Sequence, residues 1–344
     1  QTLSGVGVAF NLAIATRRRL IEKSWFNGRQ MPNMRRLLDL VALGTLCDMV
    51  PLSDQNRIFV KEGLKEIAHS SRSGFRALKE VSGLENETLL PIDAITFRIG
   101  PRLNALGRLG DASLAVELLL TEDLAQARSI ATLMDNENKR RKLVETSILT
   151  EAIGRIENED LLSKRTSIIL SSPNWHPGVL GIVASKIVEK YHRPVVLISL
   201  GYGGKGSARS IPALDINATL EECKSTLASF GGHKGAAGLT VKTDFVSDFE
   251  DIFEDVVKKR LKPDDLIPSI EIDSLIELDE ISPKFMEELE RLNPFGTDNF
   301  EPVFATKNMS VTEKRTVGNG HLKLKLSKGR KTFDAIGFKM ADQL

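Results

Sequence analysis

Two short stretches of this chain concentrate the side chains and bare backbone that handle anions. Gly203-Gly204-Lys205-Gly206-Ser207-Ala208-Arg209-Ser210 offers a hydroxyl and a guanidinium two residues apart. In an extended segment, residues two apart point to one side. A serine and an arginine on that side make a clamp for a terminal phosphate. Phe230-Gly231-Gly232-His233-Lys234-Gly235-Ala236-Ala237-Gly238 sets one histidine and one lysine among four glycines and two alanines. Almost no side chain there keeps a ligand from the backbone at Gly231 and Gly232. The alternative for both stretches is a solvated surface loop. The first lacks the G-x-x-x-x-G-K-[ST] spacing, which excludes a P-loop nucleoside triphosphatase.

Four further places carry chemistry beside a plainer reading. Asp48 follows a hydrophobic helix and precedes Pro51. Its carboxylate suits a hard ion such as Mg2+ or Mn2+, or it forms a turn or caps the next helix. Gly100-Pro101-Arg102-Leu103-Asn104-Ala105-Leu106-Gly107-Arg108 reads as a loop with Arg102, Asn104 and Arg108 placed for phosphate oxygens, or as a loop with ordinary surface arginines. Trp175-His176-Pro177-Gly178 lies between a strand and a helix, where ligands of open α/β sheets collect and a helix N-terminus favours anions. Alternatively, Trp175 covers a core edge and His176 is a turn residue. His321, Lys323 and Lys325 alternate with Leu322, Leu324 and Leu326, with Lys328, Arg330 and Lys331 next. That basic face could track a nucleic-acid backbone or be the wet side of a strand.

Elements must hold these groups. Apolar spacing predicts helices over 6–20, 37–46, 57–68 and 91–99, the last closed by Gly100-Pro101. A long helix runs from Thr121, as N-cap, to about Ile156. Its centre, from Asn136 to Lys142, is polar nearly all round, as in a helix bridging two domains through solvent. Strands at 167–170 and 194–200 flank a helix over 179–191, which is a βαβ unit with a right-handed crossover. Asp215 caps a helix expected to reach Phe230 and stop at Gly231-Gly232. A strand over 239–242 and a helix over 245–261 follow. Beyond Pro263 the pattern is β, with strands at 270–273, 321–326 and 332–338, suggesting a small barrel.

The 344 residues suit two or three domains, and 41% hydrophobic with 27% charged residues fits a soluble protein with real cores. A net charge of +1 provides no global field, so an anion site must be local. Cys47 and Cys223 form no C-x-x-C pair, which argues against a zinc site or disulfide framework and makes the cytoplasm the expected location. No apolar run reaches the ~20 residues that span a bilayer, so no membrane partner is expected.

Taken together, these motifs resemble the RecJ family of the DHH phosphoesterase superfamily. Leu40 to Leu52 looks like its last metal-ligand motif, and Pro101 to Arg108 like its arginine loop. Trp175 to Ser185 is similar to the start of its DHHA1 domain. Gly206-Ser207-Ala208-Arg209-Ser210 matches its serine–arginine pocket, Gly231 to Gly238 its DHHA1 signature, and Asn293 to Asn299 the entry to its OB-fold. The implied fold is α/β. It comprises the mostly helical C-terminal part of a DHH domain over 1–120, a linker helix over 121–158, an α/β DHHA1 domain over 159–262 and an OB-fold β-barrel over 263–344. The family's Asp-His-His triplet does not occur, and no histidine precedes His69. The expectation is therefore that the N-terminal part of the catalytic domain lies outside this sequence, which alone would bind DNA weakly and not cut it.

The resemblance implies a single-stranded-DNA-specific exonuclease that hydrolyses 5′ to 3′ with two Mn2+ or Mg2+ ions, releasing mononucleotides in repair and recombination. Asp48 is then a metal ligand, and Asp48 and His233 the catalytic candidates. Ser207 and Arg209 bind the 5′ phosphate. Arg102, Asn104, Arg108, His176, Gly231, Gly232, Lys323 and Lys325 line the strand. The expected partners are single-stranded DNA with a 5′ end, a single-strand-binding protein and a helicase. The alternatives are an oligonucleotide or cyclic-dinucleotide phosphodiesterase and an inactive nucleic-acid-binding scaffold.

Overall fold

The computed structural model describes residues 3–87, 90–109, 111–329 and 331–341. It divides into two compact units, Gln1–Ser269 and Ile270–Leu344. Arg330 of the predicted basic turn lies outside the described residues.

The first unit opens with helices α1 (Gly5–Glu22), α2 (Leu38–Cys47), α3 (Asp54–Ala68) and α4 (Ser73–Val81). A π-helical turn over Ala94–Ile99 runs straight into α5 (Gly100–Leu109), and α6 (Ser113–Leu120) follows. The predicted loop around Arg102 and Arg108 is therefore helical. Gly100-Pro101 does not end the helix: the backbone is already in the wider π turn there, with Gly100 N–H donating to Ile95 O, and the helix continues past the proline. The wider π turn carries the chain across the junction. The packing also makes helices of 73–81 and 113–120, which the spacing left unassigned. One core unites α2 to α6 around Phe75, Leu78, Ile95, Ile99 and Leu118, all essentially inaccessible, while Phe10 of α1 packs in a smaller cluster with Met34 and Val41.

Helix α7 (Leu124–Asn158) has 35 residues, about 52 Å at 1.5 Å per residue. Its N-cap is Asp123, whose carboxylate accepts from the Ala125 N–H at 2.8 Å, rather than Thr121. The N-terminal half buries Ala127, Ile130, Ala131 and Met134 in the helical core. The C-terminal half buries Ile148, Ala152 and Ile156 in a second core with Trp175, Leu180 and Val183. The polar centre is not solvated all round: Asn138 and Arg141, with Glu145 one turn on, are buried along one face, while Asn136, Lys139, Arg140 and Lys142 are exposed.

After the short α8 (Leu161–Lys164) comes the α/β part: β1 (Ile168–Ser172), α9 (Pro177–Tyr191), β2 (Val195–Ser199), β3 (Lys205–Arg209), α10 (Ile216–Glu222), β4 (Leu227–His233), β5 (Ala236–Val241) and α11 (Val246–Arg260). The sheet order is β1-β2-β3-β5-β4, with β1 and β2 parallel as the βαβ reading requires. Helix α10 stops at Glu222, well short of Phe230. Residues 227–233 pair with β5 instead, because the ladder satisfies backbone groups in a glycine-rich stretch that has little helix propensity. Glu254 on α11 holds the start of β1, accepting from Ser167 N at 2.9 Å and Thr166 N at 2.7 Å.

The second unit has β6 (Ser274–Leu275), α12 (Pro283–Glu290), β7 (Phe304–Ala305) and an antiparallel meander of β8 (Ser310–Val317), β9 (His321–Lys328) and β10 (Lys331–Gly337). The strand expected at 270–273 falls at Ser274–Leu275, paired with β7. Among the described residues these strands form two separate sheets rather than one closed barrel.

Candidate nucleic-acid interface

Register places the two anion-handling stretches side by side. Ser207 on β3 lies opposite Gly238 on β5, which lies opposite Gly231 on β4. Arg209, Ala236 and His233 form the next such row on the same face. Two strand spacings, about 10 Å, separate the Arg209 and His233 positions. The hairpin turn is tied to the end of β3 by the Ser210 N–H to Gly235 O bond at 3.1 Å. The other face of the sheet is core, carrying Ala208, Ala237 and Leu239. A groove of about 390 Å³ opens over these strands, bordered by Pro177, Lys205, Ser229, Gly231, Gly238 and Thr240.

Helix α9 brings the remaining groups to this face. Trp175 is buried, and its indole donates to Glu151 Oε2 at 2.9 Å, anchoring the loop to α7. His176 is the N-cap of α9, and its Nδ1 accepts from the Gly178 N–H at 3.1 Å. His233 uses the same device, with Nδ1 accepting from the Gly235 N–H at 3.2 Å. In each neutral ring the proton therefore sits on Nε2, which makes both histidines outward donors. For His233 that geometry suits a phosphate contact better than proton abstraction.

Arg108, at the end of α5, donates to Gly178 O at 3.2 Å, and a Cβ on Gly178 would sit 2.5 Å from Arg108 O. A Cβ on Gly181 would sit 2.6 Å from Arg209 Nη2, so glycine lets that guanidinium lie on the backbone of α9. Among the described residues neither arginine has a carboxylate at ion-pair distance. Desolvation and the neighbouring Arg141 charge hold the Arg108 pKa below the ordinary arginine value, and burial followed by Arg108 does the same for Arg209. These are cations short of an anion, beside the N-terminal turn of a helix.

Arg102 does not join them. Its guanidinium pairs with Asp135 at 2.8 Å and donates to Val81 O at 3.0 Å, so its donors are spent inside the protein. Asn104, on the same helix, is exposed. Asp48 is the exposed C-cap of α2, not the cap of α3; burial, and then the Asp48 charge, pushes the neighbouring Cys47 thiol up to about 12. Among the described residues no group of three His, Cys, Asp or Glu is placed to hold a metal ion. These residues thus do not by themselves form a two-metal centre, and no hydrolytic step can be derived from them.

In the second unit, Lys325 lies in register between Glu313 and Asp334 and pairs with Glu313 at 3.5 Å. Lys323 lies opposite Arg315. The predicted basic face is thus of mixed charge, and Lys323 with Arg315 is its cationic part. The sequence reading missed Asn138, Arg141, Glu145 and Lys186. The i, i+3, i+7 spacing of the first three on one helix was the available signal.

This mixed sheet, with its glycine-rich hairpin and serine–arginine strand, defines the class. Residues 165–259 match the DHHA1 domain, and residues 272–344 match the RecJ OB domain. More particularly, the chain is similar to RecJ proteins along its whole length. It is 39% identical over its full length to the single-stranded-DNA-specific exonuclease RecJ of Haemophilus influenzae, covering 62% of that protein. It is 34% identical over 98% of its length to that of Bacillus subtilis, covering 42%. The structure of Thermus thermophilus RecJ in complex with Mn2+ superposes with a TM-score of 0.81 at 34% identity, covering 95% of this chain and 47% of that one. A second Thermus RecJ structure holds Mg2+. The chain thus spans about half the length of the relatives it matches.

Proposed function

We propose that this chain is the end-binding and strand-binding part of a metal-dependent 5′ to 3′ exonuclease that acts on single-stranded DNA. Arg108, Ser207 and Arg209 grip the terminal 5′ phosphate, with His176 and His233 donating to neighbouring phosphate oxygens. Gly231 keeps the floor of the groove bare for the strand, while Gly232 pairs with Ala237 on the opposite face and serves only the hairpin. Asn104 adds a contact for the strand in the first unit; in the second unit Lys323, and more weakly Lys325, bind nucleic acid. The observation that carries this reading is that Arg108 and Arg209 lie against the first and second turns of α9 with no counter-ion among the described residues. A phosphate monoester carries a charge of about −1.5 to −2 at neutral pH, against −1 for a diester, so this pocket favours an end over an internal position.

Asp48 supplies one ligand to a Mn2+ or Mg2+ centre whose other ligands come from outside this sequence. Such ions polarise the scissile phosphate and activate water when bound. Supporting this are the position of Asp48 after α2 and the relatives solved with those ions. The released mononucleotides, the work in repair and recombination, a single-strand-binding protein and a helicase as partners, and a cytoplasmic setting belong to the same proposal. None of the described helices is long and apolar enough to cross a membrane. The test is direct binding of 5′-phosphoryl and 5′-hydroxyl oligonucleotides. Arg209→Ala should weaken the phosphorylated strand roughly tenfold to a hundredfold, the worth of a charge-assisted hydrogen bond. Equal loss for both strands would sink the terminal-phosphate assignment.

A further inference from the structure

The linker helix delivers a charge to the phosphate pocket. Arg141 on α7 is only 7% exposed and Glu145 5%. Arg141 Nη1 donates to Glu145 Oε2 at 2.6 Å, and its Nη2 donates to Asn138 Oδ1 at 3.1 Å. Glu145 Oε1 also meets Lys186 Nζ at 2.5 Å. Lys186 is on α9, the helix whose Gly178 and Gly181 receive Arg108 and Arg209. Two cations, Arg141 and Lys186, thus contact the Glu145 carboxylate, and α9 carries Lys186 as well as the glycines against which Arg108 and Arg209 lie.

From this geometry we infer that Arg141 and Glu145 tune the pocket in opposite senses. Arg141 is a specificity-determining residue that strengthens the preference for a phosphorylated end, and Glu145 restrains it. The inference rests on the terminal-phosphate reading above. Arg141 and Glu145 lie away from bulk water, where charges are screened little, whereas Arg108 is exposed and feels them through partial screening. The Arg108 guanidinium registers both: after desolvation, Arg141 depresses its pKa and Glu145 raises it. Stability alone is a poor reason for the arrangement, because a buried ion pair returns little beyond its desolvation cost. With Arg141 and Lys186 set against Glu145, Arg108 and Arg209 are the cations left over, and a dianionic end group is what those two serve.

The experiment compares the ratio of Kd for 5′-hydroxyl and 5′-phosphoryl single strands, labelled at the 3′ end, on the whole chain. Arg141→Met should lower that ratio roughly tenfold, and Glu145→Gln should raise it severalfold, as expected for one charge removed at short range. Arg141→Lys, which keeps the charge, should retain most of the ratio. A merely structural role moves both neutral variants the same way, and that outcome would overturn the inference. Should Arg141→Met fail to fold, Glu145→Gln decides alone, since an unchanged or lower ratio contradicts it. A wild-type chain with no preference for a phosphorylated end would remove the terminal-phosphate reading itself. A wild-type preference that both variants leave intact removes only the tuning by α7.

Discussion

At the scale of single residues, what separates the arginines is the company they keep. Arg102 and Arg108 share a helix and a motif, yet one is paired with Asp135 and the other faces the α9 N-terminus. Arg102→Ala should therefore lower stability by about 1–3 kcal/mol, the cost of leaving a partly buried partner unsatisfied. It should leave the 5′-phosphate preference unchanged, as read by thermal melting and oligonucleotide binding in parallel. Arg108→Ala should do the reverse. The side-by-side placement of Ser207 and Arg209 was legible because strand alternation is a local rule. The pairing of Arg102 with Asp135, 33 positions away, was not legible, since nothing local selects that partner.

At the scale of elements, α9 is the hub. Its N-terminal turn touches Arg108, its second turn carries Arg209, and Lys186 reaches α7. Gly178→Ala would push a methyl group into Arg108 O, so it should cost about 1–3 kcal/mol of stability, as overpacking does. It should also reduce the phosphate preference by displacing the end of α5. Glu254 carries a pH dependence. Burial pushes its pKa up, but the hydrogen bonds from Ser167 and Thr166 outweigh that and hold it below the ordinary glutamate value. A depressed folded-state pKa gives stability that is present above the unfolded value, about 4.3, and lost as pH falls through the folded one. Glu254→Gln should accordingly be less stable than wild type at pH 7, with the gap in urea midpoint closing on acidification. A gap that stayed constant with pH would mean that the carboxylate charge is immaterial there. Helices α1 to α3 and strands β1 and β2 were readable from apolar periodicity. The helix expected from Asp215 to Phe230 was not, because pairing with β5, a contact remote from helix propensity, claims residues 227–233.

At the scale of the whole molecule, the long helix α7 contributes to both the helical core and the α/β core, so binding groups from α5, α7, α9 and β3 meet on one side. Phosphate binding should therefore stabilise the first unit as a body, seen as a higher melting temperature with 5′-phosphorylated than with 5′-hydroxyl strands. In the complete protein, Asp48→Ala should abolish hydrolysis while sparing most DNA binding, because Asp48 lies outside the arginine pocket. Wild-type turnover in that variant would remove Asp48 from the metal site. The sequence by itself determined the kinds of element, the family resemblance and the motifs, since each depends on residue type at short spacing. Tertiary contacts decided which arginines have no counter-ion among the described residues and which face of the α7 centre is buried. They also decided that the glycine run is a hairpin aligned with Ser207 and Arg209. Charge pairing and strand register join residues tens of positions apart, and these long-range contacts govern how the local motifs are used.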